Sequence, residues 1–215
     1  MDILLGYVLT YLYVFIIIFI SKLFKKVEYS RKFIHIFVAF AYFIIFYFFK
    51  CSFHIMIIPA TFIIINFLSY KFNIFKGMER EENNTLGTVF YAISMTVLSI
   101  ITYFFNDFRD AYFIGFFLMA IGDGLAPVVA SLIKTKKIVN DKTLSGSLTI
   151  FMIAVLLLFF TLKSPNYVYL LLTAVFATFI ELYSKKGLDN ILLPLSTSLL
   201  VYILFYWLWK YLFVY

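Results

Sequence analysis

The sequence predicts an all-α, polytopic integral membrane bundle of about eight transmembrane helices. Its 215 residues are 64% hydrophobic and 22% aromatic, and the mean hydropathy is +1.00. These values are far from those of a soluble globular domain. Long apolar runs alternate with short polar connections, and Lys and Arg gather in every second connection. Together these observations predict a chain that crosses a membrane repeatedly.

The apolar runs define the individual spans. A helix needs about 20 apolar residues to cross about 30 Å of hydrocarbon. No soluble domain fits between the runs, so residues 1–215 are predicted to form one transmembrane domain. The runs that are long enough, or nearly so, are Ile3 to Ile20, Phe33 to Phe49, Phe53 to Tyr70, Leu86 to Phe105, Ala111 to Ile133, Leu148 to Leu162, Tyr167 to Tyr183 and Ile191 to Val214.

The basic residues predict the orientation of the spans. Most of the 18 Lys and Arg residues follow the first, third, fifth and seventh runs. By the positive-inside rule these connections are cytoplasmic, and both termini lie on the opposite side of what we expect to be the cell membrane. The net charge of +7 therefore reports orientation and gives no reason to expect a nucleic-acid partner. One cysteine and two histidines make a disulfide or a zinc cluster improbable.

The fifth run contains an ionisable residue, Asp123, between two glycines in Gly122-Asp123-Gly124-Leu125-Ala126-Pro127. A carboxylate inside a membrane span is costly, which makes it a functional candidate. Pro127 lacks the N–H that would bond to the Asp123 carbonyl, so a broken helix is predicted at Gly122–Pro127. A kinked helix in which Asp123 pairs with a Lys or Arg is the structural alternative.

Polar residues collect at the predicted cytoplasmic ends of the spans. Every even-numbered span begins there, so its free N–H groups and positive dipole end face the cytoplasm and suit an anion. Arg31, Lys32 and Lys142 are the candidate phosphate ligands. The residues expected to supply helix caps and close backbone approach are Asn84, Ser145, Gly146 and Asn190.

Three carboxylates, Asp123, Glu181 and Asp189, are candidate metal ligands, because Mg²⁺ prefers hard oxygen donors. Asp123 could instead deprotonate an acceptor hydroxyl. Other readings remain open from the sequence. Asn84, Thr85, Ser145 and Asp189 could be ordinary helix caps. His35, one helical turn after Arg31, could be a packed, hydrogen-bonded histidine.

Five motifs in register resemble the polyprenol kinase family, which includes dolichol kinases, phytol kinases and CTP-dependent diacylglycerol kinases. The motifs extend over most of the chain. They are Arg31-Lys32-x-x-His35, Asn84-Thr85-Leu86-Gly87-Thr88, Gly122-Asp123-Gly124-x-Ala126-Pro127, Lys142-Thr143-x-x-Gly146-Ser147, and Glu181 followed by Asp189-Asn190-x-x-x-Pro194.

The resemblance implies transfer of the terminal phosphate of CTP, or of ATP, to the hydroxyl of a membrane lipid alcohol with Mg²⁺ as cofactor. It implies catalytic roles for Asp123, Lys142 and Arg31, and metal binding by Asp123, Glu181 and Asp189. The implied nucleotide-binding residues are Arg31, Lys32, His35, Asn84, Thr85, Lys142, Ser145, Gly146, Ser147 and Asn190.

Two other activities fit parts of the same pattern. A CTP:phosphatidate cytidylyltransferase also brings CTP and lipid together, but the Lys-Asp pair and the His-Gly-Gly and Asp-Arg motifs of that class do not occur in this sequence. A small transporter for an anionic solute could use an interrupted helix at Asp123 as its binding site. It would be expected to have a second interrupted span in an inverted repeat, and the sequence shows no such repeat.

Overall fold

The computed structural model describes residues 2–72, 74, 86–163 and 165–207, and these are almost entirely helical. The predicted all-α class is confirmed. The α-helices are α1 (Ile3–Ser21), α2 (Val27–Val38), α3 (Ala41–Phe49), α4 (His54–Phe72), α5 (Gly87–Phe104), α6 (Arg109–Phe117), α7 (Gly124–Leu132), α8 (Leu144–Thr161), α9 (Tyr167–Tyr183) and α10 (Asp189–Tyr202). Two short strands, β1 (Lys137–Val139) and β2 (Lys142–Thr143), form an antiparallel hairpin before α8.

Seven helical segments in the described part of the chain are long and apolar enough to cross a bilayer. Two of them combine consecutive helices: Val27–Phe49 contains α2 and α3, and Asn106–Leu132 contains α6 and α7. Each of the eight predicted runs contains a helix, but α9 has only 17 residues. The helix at the run predicted from Leu148 to Leu162 is longer than expected, because α8 already begins at Leu144.

The helices form two compact units, Met1–Phe104 and Phe105–Tyr215. In the first unit α1 packs against α2 and α3, and α4 packs against α5. Val14 and Ile18 of α1 form a buried cluster with Ile34 and Ala41. The prediction of a single domain over residues 1–215 stays a prediction.

In the second unit α6 packs against α10, and α8 packs against both α7 and α9. Side-chain hydrogen bonds join the region where α6 begins to the region where α10 ends. The Tyr202 hydroxyl lies 3.1 Å from both carboxylate oxygens of Asp107, and the Tyr206 hydroxyl donates to Asp110 at 2.8 Å. The charged cluster described below lies around the opposite ends of these helices.

Large apolar side chains remain exposed along the helices of both units. Phe19 and Phe160 are 72% and 78% exposed, and many Leu, Ile and Phe residues resemble them. Water would penalise so extensive an apolar surface, whereas the hydrocarbon of a bilayer would not. The exposed surface therefore agrees with a polytopic membrane protein.

The irregularity predicted at Gly122–Pro127 has a different form from the break we expected. Leu118–Asp123 is π-helical and α7 follows it directly, with right-handed helical dihedrals at both Asp123 and Gly124. The helix is therefore continuous, and the prediction of a broken helix was wrong in this respect. The wider π turn changes the backbone hydrogen bonding just before Pro127. Pro127 has no N–H group to donate to the Asp123 carbonyl.

Gly115 allows α6 and α10 to approach each other closely. A Cβ atom at this position would overlap Ser198 Oγ and would lie 2.5 Å from the Pro194 carbonyl oxygen. Small residues at helix contacts are typical of membrane bundles, where close packing replaces the hydrophobic driving force between helices. The contact fixes α10 against the helix that contains Asp123.

We expect Gly115→Ala to destabilise the protein by about 1–3 kcal/mol, because the added methyl group meets backbone as well as a side chain. Gly122→Ala is the matched control, since its Cβ would meet only the flexible ends of Ile150 and Leu118, at 3.1 and 3.3 Å. Thermal unfolding of the purified variants measures the difference. Equal unfolding temperatures for the two variants would contradict the assigned contact.

Candidate functional site

Lys142 lies at the centre of a charged cluster in the second unit. Its Nζ atom donates a hydrogen bond to Glu181 Oε1 at 2.6 Å and another to the Glu181 backbone carbonyl. Asp189 Oδ2 is 3.8 Å from the same Nζ atom. The Glu181 side chain is only 6% exposed and that of Lys142 is 21% exposed. The cluster is therefore a largely desolvated ion-pair network formed by residues distant in sequence.

The β-hairpin positions Lys142. Asn140 and Asp141 connect its two strands, and both have positive φ values, 50° and 63°. Asn and Asp tolerate this conformation better than most residues, which suits a two-residue hairpin turn. Asn140 Nδ2 also donates to the Leu182 carbonyl at 3.4 Å, joining the turn to α9. Sequence analysis missed this hairpin, for which the Asn-Asp pair was the available signal.

Outside the cluster, the exposed side of the hairpin has an ion pair of its own. Lys137 donates to Asp141 Oδ1 at 2.7 Å, and this hydrogen bond holds the pKa of the Asp141 carboxyl below its usual value. Both side chains are mostly exposed. The pair is a useful reference for the buried one, because a salt bridge in water contributes little.

The end of α9 and the turn after it position Glu181 and Asp189. Glu181 lies in the last turn of α9, where its carbonyl accepts from Lys142, as expected for a cation near the negative end of a helix dipole. Lys186 and Gly187 then turn the chain with φ values of 53° and 82°. The next helix, α10, begins at Asp189. The turn therefore brings the carboxylates of Glu181 and Asp189 to the ammonium group of Lys142.

Asp123 belongs to the same neighbourhood. It is half-buried at the end of the π-helical segment, and its carboxylate and that of Asp189 both interact unfavourably with Glu181. The start of α8 lies against α7 at Gly146, where a Cβ atom would be 3.5 Å from the Ala126 carbonyl oxygen, an ordinary contact distance. The structure thus brings all three predicted metal ligands and Lys142 into one region.

The charge and the donor atoms of this cluster fit a hard divalent cation. Oxygens of Glu181 and Asp189 lie 2.6 and 3.8 Å from one ammonium nitrogen, and like-charged carboxylates interact favourably only through a shared cation or proton. Within the described chain, Glu181 Oε2 is buried and has no hydrogen-bond partner. No group of three or more His, Cys, Asp or Glu residues placed to hold a metal ion is found among these residues. The carboxylates are therefore gathered around Lys142 and are not preset around a metal position.

The N-terminus of α8, predicted as an anion site, already has partners for its first N–H groups. Leu144 N donates to the Lys136 carbonyl at 3.1 Å, and Ser145 N donates to Thr135 Oγ1 at 2.9 Å. Gly146 N donates to Thr143 Oγ1 at 3.2 Å. An anion at this helix end would have to displace these bonds, so phosphate binding there stays a prediction.

The caps also differ from those expected. Thr143 is the N-cap of α8, so the assignment of this role to Ser145 was wrong. Ser145 lies in the first turn, where its hydroxyl donates to the Ile133 carbonyl at 2.8 Å. The N-cap of α10 is Leu188 without a side-chain bond, and Asn190 lies inside the first turn. In both α8 and α10, the residue at which the helix begins depends on the conformation of the preceding loop.

Ser147 is the predicted site residue of α8 for which no hydrogen bond is found. Its hydroxyl is buried in the first two turns of the helix and has no partner among the residues that the structure describes. It lies on the same buried stripe as Gly146 and Ile150, which faces α7 and the π-helical segment. Its nucleotide-binding role stays a prediction.

The remaining predicted residues belong to the first unit. Arg31, Lys32 and His35 lie in α2, and Lys32 is only 3% exposed. The His35 ring meets the edge of Tyr91 with centroids 4.8 Å apart, and the Tyr91 hydroxyl donates to the His35 carbonyl at 3.1 Å. These contacts favour the reading of His35 as a packed histidine. Asn84 and Thr85 lie outside the described residues, and phosphate binding by this whole group stays a prediction.

The fold and the cluster define a polytopic α-helical membrane protein with an acidic, lysine-bridged site at one end of its second unit. No family model matches the chain, and no solved structure matches it. It is 28% identical over 144 residues to a phytol kinase of Synechocystis, covering 63% of this chain and 61% of the relative. It is 32% identical over 126 residues to an uncharacterised protein of Methanocaldococcus jannaschii, covering 57% of this chain and 61% of that protein. The matched region thus spans less than two thirds of the length of each of these relatives.

A double-mutant cycle on Lys142→Gln and Glu181→Gln tests the ion pair. Because each single change leaves a desolvated charge behind, we expect a coupling energy of about 1–3 kcal/mol in the free energy of unfolding. The control cycle uses Lys137→Gln and Asp141→Asn, whose exposed pair should show much weaker coupling. If the two cycles gave the same coupling, the buried pair would not hold the cluster together.

Proposed function

We propose that the chain is a membrane lipid-alcohol kinase that transfers the terminal phosphate of a nucleoside triphosphate, CTP or ATP, to a lipid hydroxyl. The observation that carries the proposal is the network of Lys142 with Glu181 and Asp189, with Asp123 close enough to interact with Glu181. The distant similarity to a phytol kinase supports the same class of reaction. The motif resemblance to the polyprenol kinase family, which includes phytol kinases, points to the same reaction.

The residues of the cluster suit phosphoryl transfer, which depends on positioning and on neutralising charge. In the proposed mechanism Glu181 and Asp189 would hold Mg²⁺, which would neutralise charge on the phosphates. Lys142 lies beside the same two carboxylates, where its positive charge could bind a phosphate oxygen. Asp123 either completes the metal site or accepts the proton of the lipid hydroxyl, because it is half-buried beside the other carboxylates.

The membrane setting suits a substrate with a polar head and an apolar chain. The charged cluster lies at one end of the helices of the second unit, and apolar side chains are exposed along their length. A lipid alcohol could present its hydroxyl at that end while its chain stays in hydrocarbon. We propose that this end faces the cytoplasm, where nucleotide is available and where the positive-inside rule places the Lys-rich connections.

The decisive assay incubates the purified protein with Mg²⁺, labelled CTP or ATP and a panel of alcohols that includes phytol, a polyprenol and diacylglycerol. A kinase releases the nucleoside diphosphate and forms a lipid monophosphate. Release of pyrophosphate would instead indicate a cytidylyltransferase. Solute uptake without nucleotide turnover would indicate a transporter.

Asp123→Asn keeps the size of the side chain and removes its charge, so we expect the turnover to fall by about 10²- to 10⁴-fold. Asp107→Asn is the matched control, because Asp107 bonds to Tyr202 at the opposite end of the unit and an amide oxygen can still accept that bond. Turnover with the preferred alcohol is measured after confirming that both variants are inserted and folded. Normal turnover in Asp123→Asn would remove this residue from the mechanism.

The orientation is testable through Cys51, the one cysteine in the sequence. It lies in the connection between α3 and α4, on the proposed outer side. We expect a membrane-impermeant maleimide to label Cys51 in intact cells, because the reagent reaches only that side. The double variant Lys50→Cys, Cys51→Ser moves the cysteine to a more exposed position. It shows whether a lack of labelling at Cys51 comes from poor access of the reagent. Lys136→Cys with Cys51→Ser should react only after permeabilisation, and labelling of Lys136→Cys in intact cells would reverse the orientation.

A further inference from the structure

We infer that Lys142 makes the cluster selective for a divalent cation bound to a polyphosphate over the free cation. The inference rests on the proposed function insofar as it places the cation at Glu181 and Asp189. It goes further by assigning Lys142 two positions: on the carboxylates of Glu181 and Asp189, as the structure has it, and on a phosphate oxygen once a polyphosphate is bound.

Lys142 lies where a divalent cation would bind the two carboxylates. Its Nζ atom is 2.6 Å from Glu181 Oε1 and 3.8 Å from Asp189 Oδ2. A magnesium ion would bind such oxygens at about 2.0–2.1 Å. An ammonium group and a divalent cation on the same two carboxylates would repel each other strongly in a site this desolvated. The lysine therefore competes with the free cation for the same oxygens.

Glu181 has a buried oxygen atom that Lys142 does not satisfy. The Glu181 side chain is more than nine-tenths buried, and its Oε2 atom has no hydrogen-bond partner within the described part of the chain. Asp189 Oδ2 lies 3.8 Å from the same Lys142 Nζ atom, so two carboxylates share one ammonium group. A buried acceptor without a donor, beside a second carboxylate, is the environment that a further cation would occupy.

A polyphosphate would remove the competition between Lys142 and the cation for the oxygens of Glu181 and Asp189. Lys142 can leave the carboxylates at low cost only if another anion takes its positive charge. A polyphosphate that enters with its cation supplies that anion, while the cation replaces Lys142 on the carboxylates. A free cation brings no partner for the displaced ammonium group, so the site should bind it weakly.

The position of Lys142 in the hairpin gives it room to exchange partners. It follows directly after the two-residue turn at Asn140 and Asp141, and its side chain is still 21% exposed. Its partners Glu181 and Asp189 belong to helices, which fix the carboxylates more firmly. A change in the Lys142 side chain alone would therefore suffice, with the hairpin backbone in place.

The test measures two binding constants for the purified full chain without any lipid alcohol. Electron paramagnetic resonance follows the binding of free Mn²⁺, a spectroscopic substitute for Mg²⁺. Retention of radiolabelled tripolyphosphate, with and without Mn²⁺, follows the loaded form. The variants are Lys142→Gln, which keeps a hydrogen-bond donor without charge, and Lys142→Met as a second form if the first does not fold. Lys137→Gln, on the exposed side of the same hairpin, is the control.

We expect the wild type and Lys137→Gln to bind free Mn²⁺ weakly and to retain tripolyphosphate only when Mn²⁺ is present. Lys142→Gln should bind free Mn²⁺ about tenfold more tightly, because the competing charge is gone, and should retain tripolyphosphate about tenfold less well. Equal affinity of the wild type and Lys142→Gln for free Mn²⁺ would overturn the inference. Wild-type binding of free Mn²⁺ as tight as that of the tripolyphosphate complex would overturn it as well.

These outcomes are separable from those of the kinase assay, because neither measurement uses an acceptor or turnover. A chain that transfers no phosphate to any alcohol but shows the expected Mn²⁺ and tripolyphosphate pattern keeps the inference and loses the kinase. A chain that transfers phosphate while Lys142→Gln leaves free Mn²⁺ binding unchanged keeps the kinase and loses the selectivity role of Lys142.

Discussion

The ion pair between Lys142 and Glu181 is the interaction on which the rest of the second unit's charged end depends. It joins the β-hairpin to the last turn of α9 and draws Asp189 at the start of α10 toward the same ammonium group. Breaking a desolvated pair leaves an uncompensated charge, which costs far more than an exposed pair contributes. One lysine therefore links the hairpin to the turn between α9 and α10, while the helices hold the two carboxylates in place.

Helix packing places Asp123 beside that pair. Gly115 brings α6 onto α10, and the start of α8 lies against α7 at Gly146 and Ala126. The π-helical segment between α6 and α7 ends at Asp123 itself, in the span that also contains Pro127. Small residues and an irregular helix are thus concentrated around one carboxylate, a common arrangement where a membrane helix contributes to a functional site. The packing and the chemistry of the unit depend on the same few positions.

Sequence reasoning succeeded where a residue's role follows from its type and its surroundings along the chain. Asp123 stood out as a charge in an apolar run, and the structure places its carboxylate near that of Glu181. The reasoning was less successful at helix ends. Ser145 looked like a cap, yet Thr143 holds that position, and Thr135 with the Lys136 carbonyl takes up the neighbouring N–H groups. Such partners come from a loop whose shape the pattern of residue types does not encode.

The sequence by itself determined the all-α class, the apolar spans and the candidates for the charged site, because these depend on hydrophobicity, length and residue chemistry. Only the tertiary structure decided that Lys142 binds the carboxylates and that the helix at Gly122–Pro127 continues through a π turn. It also showed that the first N–H groups of α8 are already bonded. Each of these depends on which groups meet in space, and a hydrogen bond or ion pair forms between whichever partners the packing brings within about 3 Å.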